Sequence, residues 1–142
     1  PLAGEHDITL NYRGENGEVL VVGDSGKIRR VLNNLLDNSI KYMNGAGTVE
    51  VALVQENGVA LLRVCDTGPG ISPEDLPHVF ERFYRADKAR SRVAQGAGLG
   101  LSIVRAICQA HGGTAHIDSV AETGTTVTVE LPLADRPENI NA

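Results

Sequence analysis

The chain predicts an α+β fold: a two-layer α/β sandwich whose mixed, mostly antiparallel sheet carries helices on one face. Three observations lead there. Its patterns run strands, helix, hairpin, a long irregular stretch, helix, hairpin, which is not the strict alternation of a doubly wound sheet. Two segments space their apolar residues for a helix, while the flanking segments alternate as strands do. A length of 142 residues with 42% hydrophobic content suits one domain with its own core, and 4% aromatic residues with no Trp make that core aliphatic.

Residues 8–12 and 19–22 read as two short strands, joined through 14–17 into a hairpin. Asp24 or Ser25 caps a helix running to about Met43, with Ile28, Val31, Leu32, Leu35, Leu36 and Met43 on one face. Asn44-Gly45-Ala46-Gly47 ends it, its glycines suited to a left-handed C-cap. Residues 49–55 and 59–66 flank Asn57-Gly58, a hairpin turn signal. From Gly68 to Gly98 the pattern is irregular, with a short helical piece after Ser72-Pro73, and a stretch of that length inside a compact domain is functional or mobile. Residues 99–111 are helical again, with Leu101, Val104, Ile107 and Cys108 facing inward. Residues 114–118 and 125–131 close the domain as strands, and the polar tail after Pro132 is expected to fray. The domain is therefore placed at 1–133 and the tail at 134–142.

The formal net charge of −5 argues against a nucleic-acid or membrane-surface binder, which would present a basic face. No apolar run approaches the ~20 residues that span a bilayer, and no signal-peptide pattern is present. Cys65 and Cys108 lie in apolar company without a CxxC spacing, which predicts buried, reduced thiols and a cytoplasmic setting. The chain begins at Pro1 without Met, as if taken from a longer protein. Of its 16 glycines, seven lie within 66–71 and 96–113, so close backbone work is concentrated there.

Three strings carry chemistry. In NLLDNSIKY (34–42), Asn34, Asn38 and Lys41 form one polar stripe opposite the apolar face. Amide oxygens suit a magnesium ion that is shared with phosphates, and Lys41 suits a phosphate. The same stripe also describes an ordinary solvated helix face. In DTGPGI (66–71), Asp66 leaves the end of a strand where its carboxylate can accept from the exocyclic amine of adenine, and Gly68 and Gly70 let backbone pass close to a flat base. As a bare string it is excellent turn material, and in isolation reads as a turn first. GAGLGL (96–101) opens a helix, and its amides at the positive helix end make an anion site.

Taken together the three strings resemble the N box, first glycine box and second glycine box of the ATP-binding catalytic domain of sensor histidine kinases. That domain has the Bergerat fold of the wider superfamily that includes type II topoisomerases and ninety-kilodalton heat-shock chaperones. FERFYR (80–85) resembles the F box particular to the kinases, and Gly124-Thr125 the last turn of the pattern; the likeness covers roughly 18–131. It implies a mobile ATP lid at about 77–98. It also implies that Asn38 chelates Mg2+, that Asn34 and Lys41 contact phosphates, and that Tyr42 lines the base or sugar pocket. Asp66 would read adenine beside Gly68, Gly70 and Ile71, with Thr125 supporting that contact, often through water. Gly96, Gly98, Leu99, Gly100 and Leu101 would wrap the phosphates, and Arg82 or Arg85 would reach the γ-phosphate.

The implied function is to bind Mg-ATP and donate its γ-phosphate to a histidine on a separate dimerisation domain, within a two-component sensor histidine kinase. Hydrolytic members of the superfamily carry a Glu four residues before the magnesium Asn. Asn34 stands there in this chain, and an amide cannot take a proton from water, so transfer to another acceptor is favoured over hydrolysis. None of the four histidines sits in a phosphoacceptor motif. The implied partners are the dimerisation and phosphotransfer helices of the parent protein and a downstream response regulator, with the isolated domain monomeric and the parent open to membrane anchoring. The alternative is an anti-sigma-factor-like serine kinase, or a non-catalytic ATP-binding regulatory module of the same fold. Two departures from the family pattern are small: Ala97 replaces a hydroxyl residue and Ser39 replaces a common Ala.

Overall fold

A computed structural model describes residues 8–14, 19–43, 46–81 and 100–134, with the side chains of Lys41 and Tyr42 outside that description. The described elements are five strands, two helices and a single 3-10 turn at Leu76–His78. The strands are β1 (Ile8–Gly14), β2 (Gly47–Glu56), β3 (Val59–Asp66), β4 (Thr114–Val120) and β5 (Gly124–Pro132); the helices are α1 (Ser25–Tyr42) and α2 (Gly100–Ala110). They form one sheet in the order β1-β2-β3-β5-β4. The predicted α+β sandwich is the observed one: β1 runs parallel to β2, every other pairing is antiparallel, and both helices lie on one face.

Asp24 is the N-cap of α1, its Oδ1 accepting from the Lys27 amide at 3.0 Å, which contributes about 1 kcal/mol. The helix buries Val31, Leu35 and Ile40 against Val49, Val51, Val64, Val127 and Val129 of the sheet and against Leu101, Val104, Ile107 and Cys108 of α2. Leu35, Val49, Val64, Val104, Val129 and Cys108 are each under 2% exposed, so the core is aliphatic as the composition required. The β2–β3 turn is built on Asn57 and Gly58 at φ 52 and 82°, a primed two-residue turn whose twist matches the strands. No described helix is long and apolar enough to cross a membrane.

Two expectations are corrected, the first hairpin and the burial of Cys65. Residues 8–12 and 19–22 do not form a hairpin. β1 pairs in parallel with β2, from Ile8 opposite Gly47 to Gly14 opposite Leu53, and residues 19–22 belong to no strand, Val22 standing 80% exposed. A parallel pair needs a long crossover, and α1 supplies it. The left-handed C-cap expected of 44–47 rests on Asn44 and Gly45, which lie outside the described residues; Met43 before them is extended at φ −69°, ψ 119°, and Gly47 opens β2. Cys108 is buried, its thiol pushed up to about 11 by that burial, but Cys65 is only half-buried on the outer sheet face, where it accepts from the Thr126 hydroxyl. Just past Pro132 the Leu133 amide donates to Gly58 and the Ala134 amide to Leu20, and the rest of the tail, 135–142, lies outside the described residues.

Candidate functional site

The C-terminal end of β3 and the turn end of the β4–β5 hairpin meet in one row. Asp66 of β3 is the register partner of Thr125 on β5, and Thr125 is the partner of Ser119 on β4. Asp66 is half-buried. Its Oδ1 accepts from the Gly68 amide at 3.0 Å, and the carboxylate also accepts from the Thr125 amide and the Ser39 hydroxyl. Burial raises its pKa above the ordinary aspartate value, and these three donors oppose that rise. A carboxylate has roughly four acceptor positions, so three internal donors leave it capacity for about one more.

The loop after Asp66 is pinned from both sides. Thr67 donates its amide to the Thr48 carbonyl at 3.1 Å and accepts from the Thr48 amide through Oγ1 at 2.9 Å. The Ile71 amide donates to Ser119 Oγ at 2.7 Å, and the Glu122 amide donates to the Pro69 carbonyl. Gly70 sits at φ +73°, where a β-carbon would strike the main-chain carbonyl of Val120. Gly68 is buried beside Met43 and the Asp66 carboxylate, and Ile71 packs on the edge of the core.

Helix α1 meets this row through Ser39. Ser39 is 7% exposed, and its hydroxyl bond to Asp66 fixes the late turns of α1 over the end of β3. Asn38 precedes it and Asn34 lies one turn earlier; both are half-buried, unlike the exposed Asn33 and Asp37. The two helices are locked at their far ends by His111, whose Nδ1 donates to the Ile107 carbonyl at 2.8 Å while Nε2 accepts from the Asp24 amide at 3.1 Å. The end of α2 therefore meets the start of α1, and the helices pack side by side, so the start of α2 faces the later turns of α1. Gly100 is the first residue of α2; Leu101 turns its side chain into the core, leaving backbone amides for any anion.

The described residues bring Asp66, Gly68, Gly70, Ile71 and Thr125 together; Asn38 adjoins Ser39 on α1 with Asn34 one turn earlier, and Gly100 and Leu101 open α2. Arg82, Arg85, Gly96, Gly98 and Leu99, and the side chains of Lys41 and Tyr42, lie outside them. Phe80, at the start of the aromatic cluster, packs on the core with the Arg105 guanidinium 5.4 Å from its ring centre. Sequence reasoning missed two residues. Ser39 looked like a neutral stand-in for Ala, yet it is a buried hydroxyl bonded to Asp66. Ser119 carried no motif at all, and only the three-strand register brings it to the row. Among the described residues no group of three or more His, Cys, Asp or Glu is placed to hold a metal ion.

This arrangement has counterparts. Residues 23–135 match the family model described as histidine kinase-, DNA gyrase B- and HSP90-like ATPase. The chain belongs to this family. Within it, the likeness is to the catalytic ATP-binding domain of histidine kinases. The chain is 38% identical over 92% of its length to the sensor histidine kinase RppB of Synechocystis, and 42% identical over 82% to the sensor histidine kinase WalK of Bacillus subtilis. It spans only 29% and 19% of those two proteins. Among solved structures, the mycobacterial sensor histidine kinase MprB superposes with a TM-score of 0.80 at 34% identity, covering 95% of this chain and 90% of that one. Full-length ShkA in complex with AMPPNP gives 0.81 at 29% identity, covering 96% of this chain and 28% of that one. Membership of this ATPase family makes ATP the nucleotide to consider at the Asp66 row.

Proposed function

We propose that this domain binds Mg-ATP and presents the γ-phosphate to a histidine on the dimerisation helices of a longer parent protein, a two-component sensor histidine kinase with a response regulator downstream. One observation carries the reading: a half-buried carboxylate at a strand end, held as an acceptor by Gly68, Thr125 and Ser39, beside a helix stripe of two half-buried amides. In this reading Asp66 takes the exocyclic amine of adenine, with Gly68, Gly70 and Ile71 against the base and Tyr42 at the base or sugar. Asn34 and Lys41 meet phosphates, and the stretch 96–101, ending in the first amides of α2, wraps them. Arg82 or Arg85 reaches the γ-phosphate.

The donor set fits a magnesium ion. With no acidic cluster among the described residues, the ligands are the neutral Asn38 amide oxygen, phosphate oxygens and water, which is how magnesium is held when it arrives with a nucleotide. When bound, it neutralises phosphate charge. The protein's own part is positioning: Asn34 stands where an acid would activate water, and its amide cannot take a proton from a nucleophile. The acceptor histidine and its base come from the parent's other domains, and the domain by itself is a monomer on the cytoplasmic side, whether or not the parent is anchored in a membrane.

Asn38→Ala tests the metal assignment. Calorimetric titration with AMPPNP should show magnesium tightening wild-type binding by on the order of tenfold, about 1.4 kcal/mol. The variant should keep its magnesium-free affinity and lose that increment. An equal magnesium increment in both proteins would remove Asn38 from the metal site. Phosphate transfer from ATP to the isolated dimerisation helices, followed by the acid lability of the phosphorylated product, tests the acceptor.

A further inference from the structure

The hydroxyl of Ser119 has three partners, and their chemistry fixes the direction of every bond. Ile71 offers an N–H at 2.7 Å, so Ser119 Oγ accepts there. Gly124 offers a carbonyl at 3.0 Å, so Ser119 must donate there. A serine hydroxyl has one proton and two lone pairs. Its proton is committed to Gly124, so the third contact, Thr125 Oγ1 at 2.8 Å, can only be one in which Thr125 donates. The chain of bonds runs one way: Thr125 hydroxyl to Ser119 hydroxyl to Gly124 carbonyl. Ser119 is saturated, and Thr125 has spent its only hydroxyl proton.

What remains on the Thr125 hydroxyl is acceptor capacity alone. Its register partner Asp66 is likewise an acceptor, with its carboxylate turned to three internal donors. The row therefore offers acceptors only. We infer that Ser119 is a positioning residue that commits the Thr125 hydroxyl to accepting, and thereby selects a purine with an exocyclic amine over one with a carbonyl in its place. The inference rests on the adenine reading of Asp66 and deepens it. An amine carries two protons, one for Asp66 and one for Thr125; a carbonyl in direct contact would set lone pairs against lone pairs at both.

The probes are AMPPNP and the corresponding imido analogue of inosine triphosphate, which differs only by the carbonyl at position 6 and the proton it places on the ring. Wild type should prefer the adenine analogue. In Ser119→Ala the Thr125 proton is released and can turn toward a carbonyl. Binding of the inosine analogue should tighten and the preference narrow about tenfold, the worth of one hydrogen bond. Ser119→Thr, which keeps the hydroxyl on a strand that favours threonine, should restore the wild-type ratio. The tightening should vanish in the double variant Ser119→Ala/Thr125→Val. Thr125→Val alone should weaken the adenine analogue and leave the inosine analogue unchanged, a test that stands even if Ser119→Ala does not fold. A merely structural Ser119 would weaken both analogues by one factor, and that result, or tightening that persists in the double variant, overturns the inference. Wild type that binds neither analogue would overturn the adenine reading as well; wild type that binds normally, with an unchanged ratio in Ser119→Ala, overturns this inference alone.

Discussion

Asp66→Asn is expected to lower ATP affinity at least about a hundredfold while leaving a folded domain whose stability at pH 7 is within about 1 kcal/mol of wild type. The carboxylate accepts from its ligand with full charge, and such bonds are the strong ones. The amide keeps one acceptor oxygen, already claimed by internal donors, and turns an NH2 group toward the remaining site. The fold loses little, because burial already works against the ionised form of Asp66 and raises its pKa. The sign of the pH dependence follows. A carboxyl whose folded pKa lies above its unfolded value of ~3.9 binds a proton more tightly in the native state. Its contribution to stability is full below that unfolded value and is lost as pH rises through the folded one. Wild type should therefore gain stability from this group as the pH is lowered from neutrality toward about 4, and Asp66→Asn should lack that gain. Thermal melts across that range, paired with calorimetric titration, read both effects. Wild-type affinity in the variant would remove Asp66 from the nucleotide site.

Gly124→Ala should damage the fold and the site together. Gly124 opens β5 at φ +151°, and a β-carbon there would lie against the carbonyl of Asp66. Both partners are backbone, so neither can rotate away. The strained conformation alone costs about 2–3 kcal/mol, roughly 6–12 °C in melting temperature for a domain of this size. The same shift displaces the carbonyl that receives the Ser119 hydroxyl and the strand that supplies the Thr125 amide to Asp66. Nucleotide binding should fall along with stability, measured well below the melting point. A variant that melts with wild type would mean that the β4–β5 turn relaxes freely and does not anchor the row.

Much of the fold was legible because its signals are local. The cap at Asp24, the Asn57-Gly58 turn and the alternation along β5 each act within a few residues, and each is realised. β1 was misjudged because its partner lies across a helix. A hairpin and a parallel crossover begin with the same strand pattern, and nothing at 14–17 distinguishes them. The site divides in the same way. Asp66, Asn34 and Asn38 stand in strings whose spacing is set by one strand end and one helix face. Ser39 and Ser119 act through registry between elements far apart in sequence: Ser39 reaches β3 from α1, and Ser119 reaches Ile71 across 48 positions. A small polar residue says little until its partners are known.

The most direct test of the nucleotide assignment is amide chemical-shift mapping of the isotope-labelled chain during titration with AMPPNP and magnesium. Nucleotide bound at Asp66 should give saturable changes centred on Gly68, Ile71, Thr125 and the Asn34 and Asn38 turns of α1, with the outer sheet face around Glu50 and Thr126 unmoved. Saturation with changes confined to that outer face, or no change at any of these five amides, would contradict that assignment.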